Sequence, residues 1–202
     1  MKEFKVVRLL DLNPQDLEQA AEVFAASYRE QLRPLSRDAG KIRRLIAGAM
    51  LPHAFYAAVW KGQVAGIAAV SDSRSRSLRF DPKILRSELG VVKGMAVYGA
   101  LDSEFHKRLI LPEDTCYIEA VATLPEFRGN GIASGLLQNL MDTLSYRVFT
   151  LEVADTNPGA MRVYERLGFE IYRTKKQRFM RKRLGFNARL YMKREKPNVH
   201  DE

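Results

Sequence analysis

The chain has 202 residues, of which 46% are hydrophobic and 28% are charged, and its formal net charge at pH 7 is +9. This composition is ordinary for a globular protein and predicts a single domain over residues 1–202. The lone cysteine, Cys116, excludes an internal disulfide, and no apolar run reaches the ~18 residues of a membrane helix. Because the N-terminus is charged where a signal peptide is apolar, we expect a cytoplasmic protein without a membrane partner.

The N-terminal part of the chain predicts a strand, two helices and a hairpin. Residues 4–10 alternate as in a strand, and Asn13-Pro14 is typical of a helix start. The helix after it has an apolar face formed by Leu17, Ala20, Ala21, Phe24 and Ala25. A second short helix, ending near Pro52, is predicted by Ile42, Leu45, Ile46 and Ala49. Residues 55–60 and 64–71 flank Lys61-Gly62, which predicts a β-hairpin.

Residues 72–114 are less regular, and we predict that they are helical. Their apolar residues recur at helical intervals, as Leu85, Leu89, Val92, Ala96, Ala100 and Phe105. The prediction has a cost, because a glycine inside a helix weakens it by about 1 kcal/mol. Three glycines lie within this stretch, at positions 90, 94 and 99.

Strands and helices alternate in the C-terminal part of the chain. Residues 116–123 predict a buried strand, followed by a helix whose apolar face comprises Ile132, Leu136, Leu137, Leu140, Met141 and Leu144. Residues 148–154 predict the next strand, which a crossover of this length makes parallel to the first. Asn157-Pro158 and Gly168 bracket a short helix. Residues 169–173 and 189–193 predict a final strand pair around a long basic loop at residues 174–188.

A glycine-rich turn, Arg128-Gly129-Asn130-Gly131-Ile132-Ala133, joins the buried strand to its helix. N–H groups at a helix start lack intrahelical partners and lie at the positive end of the helix dipole, and glycines let a ligand approach closely. The turn is therefore typical of a phosphate or pyrophosphate site. It is neither a P-loop nor a dinucleotide-binding fingerprint, because no Lys-Ser/Thr closes it and its glycine spacing differs.

The segment from Tyr117 to Ala133 resembles the acetyl-CoA signature of the GCN5-related N-acetyltransferases. The family pattern Arg/Gln-x-x-Gly-x-Gly/Ala is met by Arg128, Gly131 and Ala133. A second family block follows at the expected distance, as Leu151-Glu152-Val153-Ala154-Asp155-Thr156-Asn157 and then Tyr164-Glu165-Arg166-Leu167-Gly168-Phe169. The resemblance is close over residues 115–170. It implies an α/β fold with a mixed central β-sheet flanked by helices, with a helical insertion around residues 78–110 near the acceptor side of the cleft.

The resemblance also implies an activity, the direct transfer of an acetyl group from acetyl-CoA to a primary amine of a small molecule, peptide or protein. It implies that Val121, Ala122 and Thr123 pair their backbones with the pantetheine arm, and that the Val121 N–H polarises the thioester carbonyl. The pyrophosphate would lie against the turn residues Arg128, Gly129, Asn130, Gly131, Ile132 and Ala133. Asn157 caps its helix and also matches the family asparagine that contacts the CoA arm.

Three residues are candidates for proton transfer. Tyr164 matches the family tyrosine that returns a proton to the thiolate, since a phenol of pKa ~10 can protonate a thiolate of pKa ~8.5. The alternative is an aromatic side chain that only packs on the sheet. Glu119 and Glu152 are alternative bases for the amine, and either also fits an ion-pair partner on its strand. We favour Glu119 slightly, because it interrupts an apolar run.

The excess positive charge lies in residues 173–196, which hold eleven lysines and arginines against one glutamate. It predicts an acidic acceptor, an acidic partner or nucleic acid. One alternative function is a nucleic-acid- or ribosome-associated binding protein on an acyl-CoA-binding fold, with Phe179, Phe186 and Tyr191 for stacking. Another is a non-catalytic CoA sensor, and a homodimer stays open. We expect no metal, because the spacing of His53, His106 and His200 matches no metal site.

Overall fold

The computed structural model describes residues 4–177 and 185–197. The strands are β1 Lys5–Arg8, β2 Phe55–Trp60, β3 Gln63–Ser71, β4 Thr115–Thr123, β5 Val148–Ala154, β6 Glu170–Lys176 and β7 Ala188–Glu195. The α-helices are α1 Pro14–Ser27, α2 Arg29–Leu32, α3 Ala39–Ala49, α4 Pro82–Leu89, α5 Val91–Leu101, α6 Ile132–Thr143 and α7 Pro158–Arg166. Within these ranges no helix is long and apolar enough to cross a membrane.

The strands form one mixed sheet in the order β1-β2-β3-β4-β5-β7-β6. The only parallel neighbours in the described sheet are β4 and β5, because the crossover through α6 brings the chain back in its original direction. The other neighbouring strands are antiparallel. The predicted α/β fold with a mixed sheet flanked by helices is confirmed.

Helices cover both faces of this sheet. Ile67 and Ala68 are neighbours in β3, and their side chains enter different buried clusters because alternate residues of a strand point to opposite faces. The cluster around Ile67 includes apolar residues of α1, α3 and α4. The opposite face carries α6 and α7, which bury Leu136, Leu137 and Tyr164. Each fully buried leucine stabilises the fold by ~1.5–3 kcal/mol.

The first helix and the hairpin form as predicted. Asn13 caps α1, and its Oδ1 accepts a hydrogen bond from the Asp16 N–H at 3.0 Å. Lys61 and Gly62 connect β2 to β3 with φ values of 52° and 77°, the left-handed pair that a two-residue hairpin turn requires. The first strand is shorter than predicted, because the chain enters a 3₁₀ turn at Leu9–Asp11.

The predicted insertion is helical, but it is two helices rather than one. Gly90 has a φ of 84°, so α4 ends there and α5 begins with the next residue. The two helices pack closely at Gly94, where an added Cβ would lie 2.7 Å from the Leu85 carbonyl oxygen. A π-helical turn, Asp102–His106, follows α5. The glycines that weaken a single long helix therefore serve a tight helix pair.

The final strand pair forms, and it is longer than predicted. β6 continues to Lys176 and β7 begins at Ala188, so the predicted basic loop at 174–188 is shorter at both ends. β7 lies between β5 and β6, which makes β6 the edge strand. Residues 178–184, which include Phe179 and much of the basic charge, lie outside the described residues, as does His200.

Candidate functional site

The candidate site lies where β4 and β5 separate. Their pairing begins at Thr115 and Val148 and, in the described sheet, ends at Ile118 and Leu151. Beyond that point β4 remains paired with β3, and β5 with β7. The facing edges form an opening, the β4–β5 slot, lined by residues 119–123 and 152–154. Its backbone groups are not paired between the two strands, which suits an extended ligand.

A β-bulge at Glu119 marks the beginning of the slot. β3 pairs Ala69 with Ala120 and Val70 with Ile118, so Glu119 is the extra residue of β4. A bulge bends its strand and increases the local twist, which accounts for the separation from β5. In a regular strand Ile118 and Ala120 would point to the same face of the sheet. The bulge places them on opposite faces, because Ile118 packs toward α6 whereas Ala120 packs toward α1.

The backbone of Val121 is held by Tyr28, a residue for which we made no prediction. The Val121 N–H donates to the Tyr28 hydroxyl at 3.2 Å, and that hydroxyl donates to the Val121 carbonyl at 3.3 Å. Tyr28 lies at the junction of α1 and α2, and its ring contacts Phe24 with centroids 4.7 Å apart. A side chain from the α1 face of the sheet thus occupies the β4 edge of the slot.

Tyr164 approaches from the opposite face of the sheet. It lies on α7 and packs against Phe169, with only 7% of its surface exposed. Burial, and after it the nearby Tyr28 hydroxyl, raises the pKa of Tyr164 above the ordinary value of a phenol. Two tyrosines therefore meet near Val121, one from each face. The Tyr164 hydroxyl remains protonated at neutral pH and is able to donate a proton.

The turn between β4 and α6 opens the helix as predicted. Gly131 is the N-cap, with a φ of 80°, and Gly135 makes the first intrahelical hydrogen bond, to the Gly131 carbonyl. The N–H groups of Ile132, Ala133 and Ser134 precede that bond and have no carbonyl one turn earlier in the helix. A Cβ built on Gly129 or Gly131 meets no atom within 4 Å, so the turn is open to a ligand.

The side chains beside the turn tie it to the end of β4. The Asn130 amide donates to the carbonyls of Phe127 and Arg128 at 3.0 and 3.2 Å, and Arg128 Nε donates to the Thr123 carbonyl at 3.3 Å. The Thr123 hydroxyl is buried and has no hydrogen-bond partner in the described part of the chain. This hydroxyl lies beside Gly66 of β3, 3.2 Å from where a Cβ would stand, rather than at the edge that faces β5.

Asn157 caps α7, as predicted. Its Oδ1 accepts a hydrogen bond from the Ala160 N–H at 3.1 Å, and its own N–H donates to the Ala154 carbonyl at 3.0 Å. It follows the end of β5 and is exposed. The cap accounts for the residue type locally, and its contact with a CoA arm stays a prediction.

The side chain of Glu119 is largely buried, and both of its carboxylate oxygens accept hydrogen bonds. One carboxylate oxygen accepts from the Arg76 guanidinium, and the other accepts from the hydroxyls of Ser71 and Ser77. The side chains of Glu119 and Arg76 are 7% and 13% exposed. Arg76 also donates to the Lys107 carbonyl at 2.9 Å. This arrangement joins the bulge to the chain segment that leads into the insertion.

Glu152 is more accessible and belongs to a different cluster. Its carboxylate accepts from Arg189 at 2.7 Å, and the side chains are 24% and 34% exposed. Tyr191 is the register partner of Glu152 in the β5–β7 pair, and burial together with this carboxylate raises the pKa of Tyr191. Burial, followed by the charges of Glu152 and Glu119, raises the pKa of Tyr117 as well. Both carboxylates therefore act on Tyr117.

Cys116 is a buried core residue. Its side chain is 0% exposed, and burial raises the pKa of the thiol to about 12. A thiolate is the reactive form of cysteine, so this environment opposes a role as nucleophile. Among the described residues, no three His, Cys, Asp or Glu side chains are grouped as ligands of a metal ion.

Sequence reasoning missed the partners that define these environments. Tyr28 follows Phe24 by four residues and so extends the apolar face of α1, and a tyrosine at the end of such a face usually needs a partner for its hydroxyl. That signal pointed to a buried hydrogen bond without identifying Val121. Arg76 lies 43 positions from Glu119 and gave no signal in the sequence.

The chain matches the family model of the Acetyltransferase (GNAT) family over residues 17–169. An N-acetyltransferase from Staphylococcus aureus Mu50 has 17% identity and a TM-score of 0.66, covering 94% of this chain and 100% of that chain. A Corynebacterium glutamicum ATCC 13032 structure, described as histone acetyltransferase HPA2 and related acetyltransferase, has 18% identity and a TM-score of 0.62, covering 98% of both chains. The ribosomal-protein-S18-alanine N-acetyltransferase of Escherichia coli has 14% identity and a TM-score of 0.57, covering 99% of this chain and 98% of that chain. These identities show likeness of fold alone, and no curated protein matches the sequence.

Proposed function

Because the chain belongs to the GNAT family of acetyltransferases, we propose that it transfers the acetyl group of acetyl-CoA directly to a primary amine of a small molecule, peptide or protein. The observation that carries the proposal is the β4–β5 slot, which runs from the bulge at Glu119 toward the open N-terminus of α6. A slot for an extended arm beside a helix start for a pyrophosphate matches the two halves of an acyl-CoA.

The β4 side of the slot holds the donor in this proposal. Val121, Ala122 and Thr123 pair their backbones with the pantetheine arm, and Asn157 contacts the arm from the β5 side. The pyrophosphate accepts hydrogen bonds from backbone N–H groups at residues 128–133. The Val121 N–H polarises the thioester carbonyl, as an oxyanion donor does. The open space at Gly131 supports this placement.

Tyr164 is the proposed acid for the departing thiolate. Its side chain belongs to the α7 face of the slot, beside the hydroxyl that contacts Val121. A buried phenol keeps its proton at neutral pH, so Tyr164 has a proton to give to the sulfur as the C–S bond breaks and the C–N bond of the product is retained.

Glu152 is the better candidate for the base that takes the proton of the amine. Glu119 would have to give up its bonds with Arg76, Ser71 or Ser77 before accepting a proton, because both of its oxygens are engaged. Glu152 is more exposed than Glu119 and is the first residue of β5 that is not paired with β4. We therefore place Glu152 in the proton path and Glu119 in the support of the bulge.

The acceptor is proposed to enter at the side of the slot that is bordered by β7 and β6, which follow β5 in the sheet. Arg173, Arg189 and Lys175 lie on that strand pair, which favours an acceptor or partner with negative charge. Nucleic-acid binding gains no support from the described aromatics, since Phe186 and Tyr191 lie beneath the guanidinium groups of Arg189 and Arg173 at 5.2 and 5.4 Å. Residues 1–202 act as one domain in this proposal.

Calorimetric titration with acetyl-CoA tests the proposed donor site, with Gly131→Glu as the disruptive variant. Gly62→Glu is a matched control, since both glycines have φ values near 80° and neither has an atom within 4 Å of an added Cβ. The strain and the added charge are therefore similar, and only the place in the fold differs. We expect micromolar or tighter binding for the wild type and for Gly62→Glu, and none for Gly131→Glu.

Two results would contradict the proposal. Folded wild-type protein that does not bind acetyl-CoA would exclude the donor site. Equal binding by all three proteins would show that the turn does not hold the pyrophosphate. If binding follows the expected pattern, a screen of amines with the wild type and Tyr164→Phe separates an enzyme from a CoA sensor, because only an enzyme releases CoA at a rate that depends on Tyr164.

A further inference from the structure

The hydroxyl of Tyr28 occupies the backbone position that the proposed mechanism assigns to the acyl oxygen. It accepts the Val121 N–H at 3.2 Å and donates to the Val121 carbonyl at 3.3 Å. Both groups of Val121 belong to the β4 edge that borders the slot. A backbone N–H makes one good hydrogen bond at a time, so an acyl oxygen and the Tyr28 hydroxyl compete for it.

In the free protein Val121 needs another hydrogen-bond partner, because buried backbone groups without a partner are energetically costly. The bulge and the separation of β4 from β5 leave Val121 without a strand partner on the slot side. A buried N–H or carbonyl without a partner is strongly disfavoured, and a hydroxyl can pair with both at once because it donates and accepts. Tyr28 supplies this single group.

Tyr28 lies where α1 ends and α2 begins, and its backbone is held on both sides. Its N–H donates to the Phe24 carbonyl at 3.0 Å, and its carbonyl accepts from the Leu32 N–H at 2.9 Å. Its ring contacts Phe24, and Phe24 in turn contacts Phe55. These contacts fix the ring beside Val121, so a small tilt of the ring is enough to separate its hydroxyl from the Val121 N–H.

We propose that Tyr28 is a positioning residue whose hydroxyl holds the N–H and carbonyl of Val121 in the free protein and gives up the N–H to the acyl oxygen of the thioester. This rests on the proposed function. Tyr28 thereby preserves the geometry of the slot and sets the affinity for acyl-CoA. The hydroxyl is not a proton donor to the thiolate, which remains the role of Tyr164.

The test compares two ligands and three proteins by calorimetry. Acetyl-CoA reaches Val121 in the proposed pose, whereas adenosine 3′,5′-bisphosphate lacks the pantetheine arm and the acyl group. Tyr28→Phe keeps the ring and removes the competing hydroxyl, so we expect its Kd for acetyl-CoA to fall about tenfold, the value of one hydrogen bond. Its Kd for the nucleotide should be unchanged.

Tyr146→Phe is the control for the loss of a hydrogen-bonded, partly buried tyrosine hydroxyl. The Tyr146 hydroxyl donates to Asp72 at 2.7 Å and makes no hydrogen bond to Val121 in the described structure. We expect this variant to bind both ligands like the wild type. The proposal is supported if the Kd is lowered only for Tyr28→Phe and only with acetyl-CoA.

Amide hydrogen exchange at Val121 gives a second readout that a purely structural role would not reproduce. In the free wild type the Tyr28 hydroxyl protects this amide, so exchange should be at least tenfold faster in free Tyr28→Phe. Saturating acetyl-CoA should restore protection in the variant, because the acyl oxygen then accepts the Val121 N–H.

Each contrary result identifies what fails. If Tyr28→Phe binds acetyl-CoA no more tightly than the wild type does, the proposed competition is wrong. It is also wrong if the Kd for the nucleotide falls by the same factor as the Kd for acetyl-CoA. A Val121 amide that exchanges equally fast in both free proteins overturns the protective contact. Wild-type protein that binds no acetyl-CoA overturns the proposed function, and this inference fails with it.

Discussion

Glu119 and Glu152 are the first residues of β4 and β5 beyond their last paired residues, Ile118 and Leu151. The two carboxylates therefore flank the beginning of the β4–β5 slot, and both act on the pKa of Tyr117. Their surroundings differ. Glu119 is enclosed by Arg76 and two serines, whereas Glu152 shares a more exposed cluster with Arg189 and Tyr191. Two acids that look equivalent in the sequence thus have different surroundings, and the proposed function gives them different roles.

The first prediction concerns stability. Glu119→Gln removes the carboxylate charge that Arg76, Ser71 and Ser77 contact in a largely buried environment, so we expect a loss of about 3 kcal/mol in the free energy of unfolding. For a chain of this size that corresponds to a fall of roughly 10 °C in Tm, measurable by scanning calorimetry. Glu113→Gln is the control, because the Arg74–Glu113 pair is 74% and 81% exposed and contributes little. Equal Tm values for the two variants would contradict the supporting role of Glu119.

The second prediction concerns the base. Glu152→Gln should lower kcat/KM for the amine acceptor by about 100-fold, a usual value for the loss of a general base, while the Kd for acetyl-CoA stays within about twofold. Glu170→Gln removes an exposed carboxylate from β6 and serves as the control. If Glu119→Gln, assayed well below its Tm, loses as much activity as Glu152→Gln, the assignment of the base is wrong.

The third prediction concerns Tyr164. Tyr164→Phe should lower kcat by about 100-fold with little change in the Kd for acetyl-CoA, because the hydroxyl acts on the leaving thiolate. Tyr172→Phe, at an exposed position on β6, should retain full activity. Burial and Tyr28 raise the pKa of Tyr164, so its acid form persists above the ordinary phenol pKa of ~10. A wild-type rate that falls with an apparent pKa near or below that value would assign the loss to another group.

The fourth prediction concerns the helix pair of the insertion. An alanine at position 94 would place its Cβ 2.7 Å from the Leu85 carbonyl oxygen and 2.8 Å from the backbone of Arg86. We expect Gly94→Ala to destabilise the protein by about 2 kcal/mol through overpacking. Gly99 lies in the same helix with nothing within 4 Å of an added Cβ, so Gly99→Ala should stabilise the protein by about 0.5–1 kcal/mol. Chemical denaturation measures the change in the free energy of unfolding for both variants. A stabilising effect of Gly94→Ala would disprove the close packing.

Much of the fold was predictable because its signals are local. The cap at Asn13, the turn at Lys61-Gly62 and the N-cap at Gly131 each depend on residues within a few positions of one another. The strand and helix periods of residues 115–170 likewise repeat over short distances. The break of the insertion at Gly90 was missed, because a glycine inside a helical pattern weakens a helix or ends it, and the pattern alone does not distinguish the two.

The sequence by itself determined the order of strands and helices, the glycine-rich turn that opens α6, and the family to which these motifs belong. The tertiary structure decided which residues meet. Tyr28 reaches Val121 across 93 positions, and Arg76 reaches Glu119 across 43. Such contacts depend on how the bulge bends β4 and how the helices lie on the sheet, and no local pattern of residues encodes that distance or direction. The environment of each acid and each tyrosine, and therefore its chemistry, follows from packing rather than from spacing.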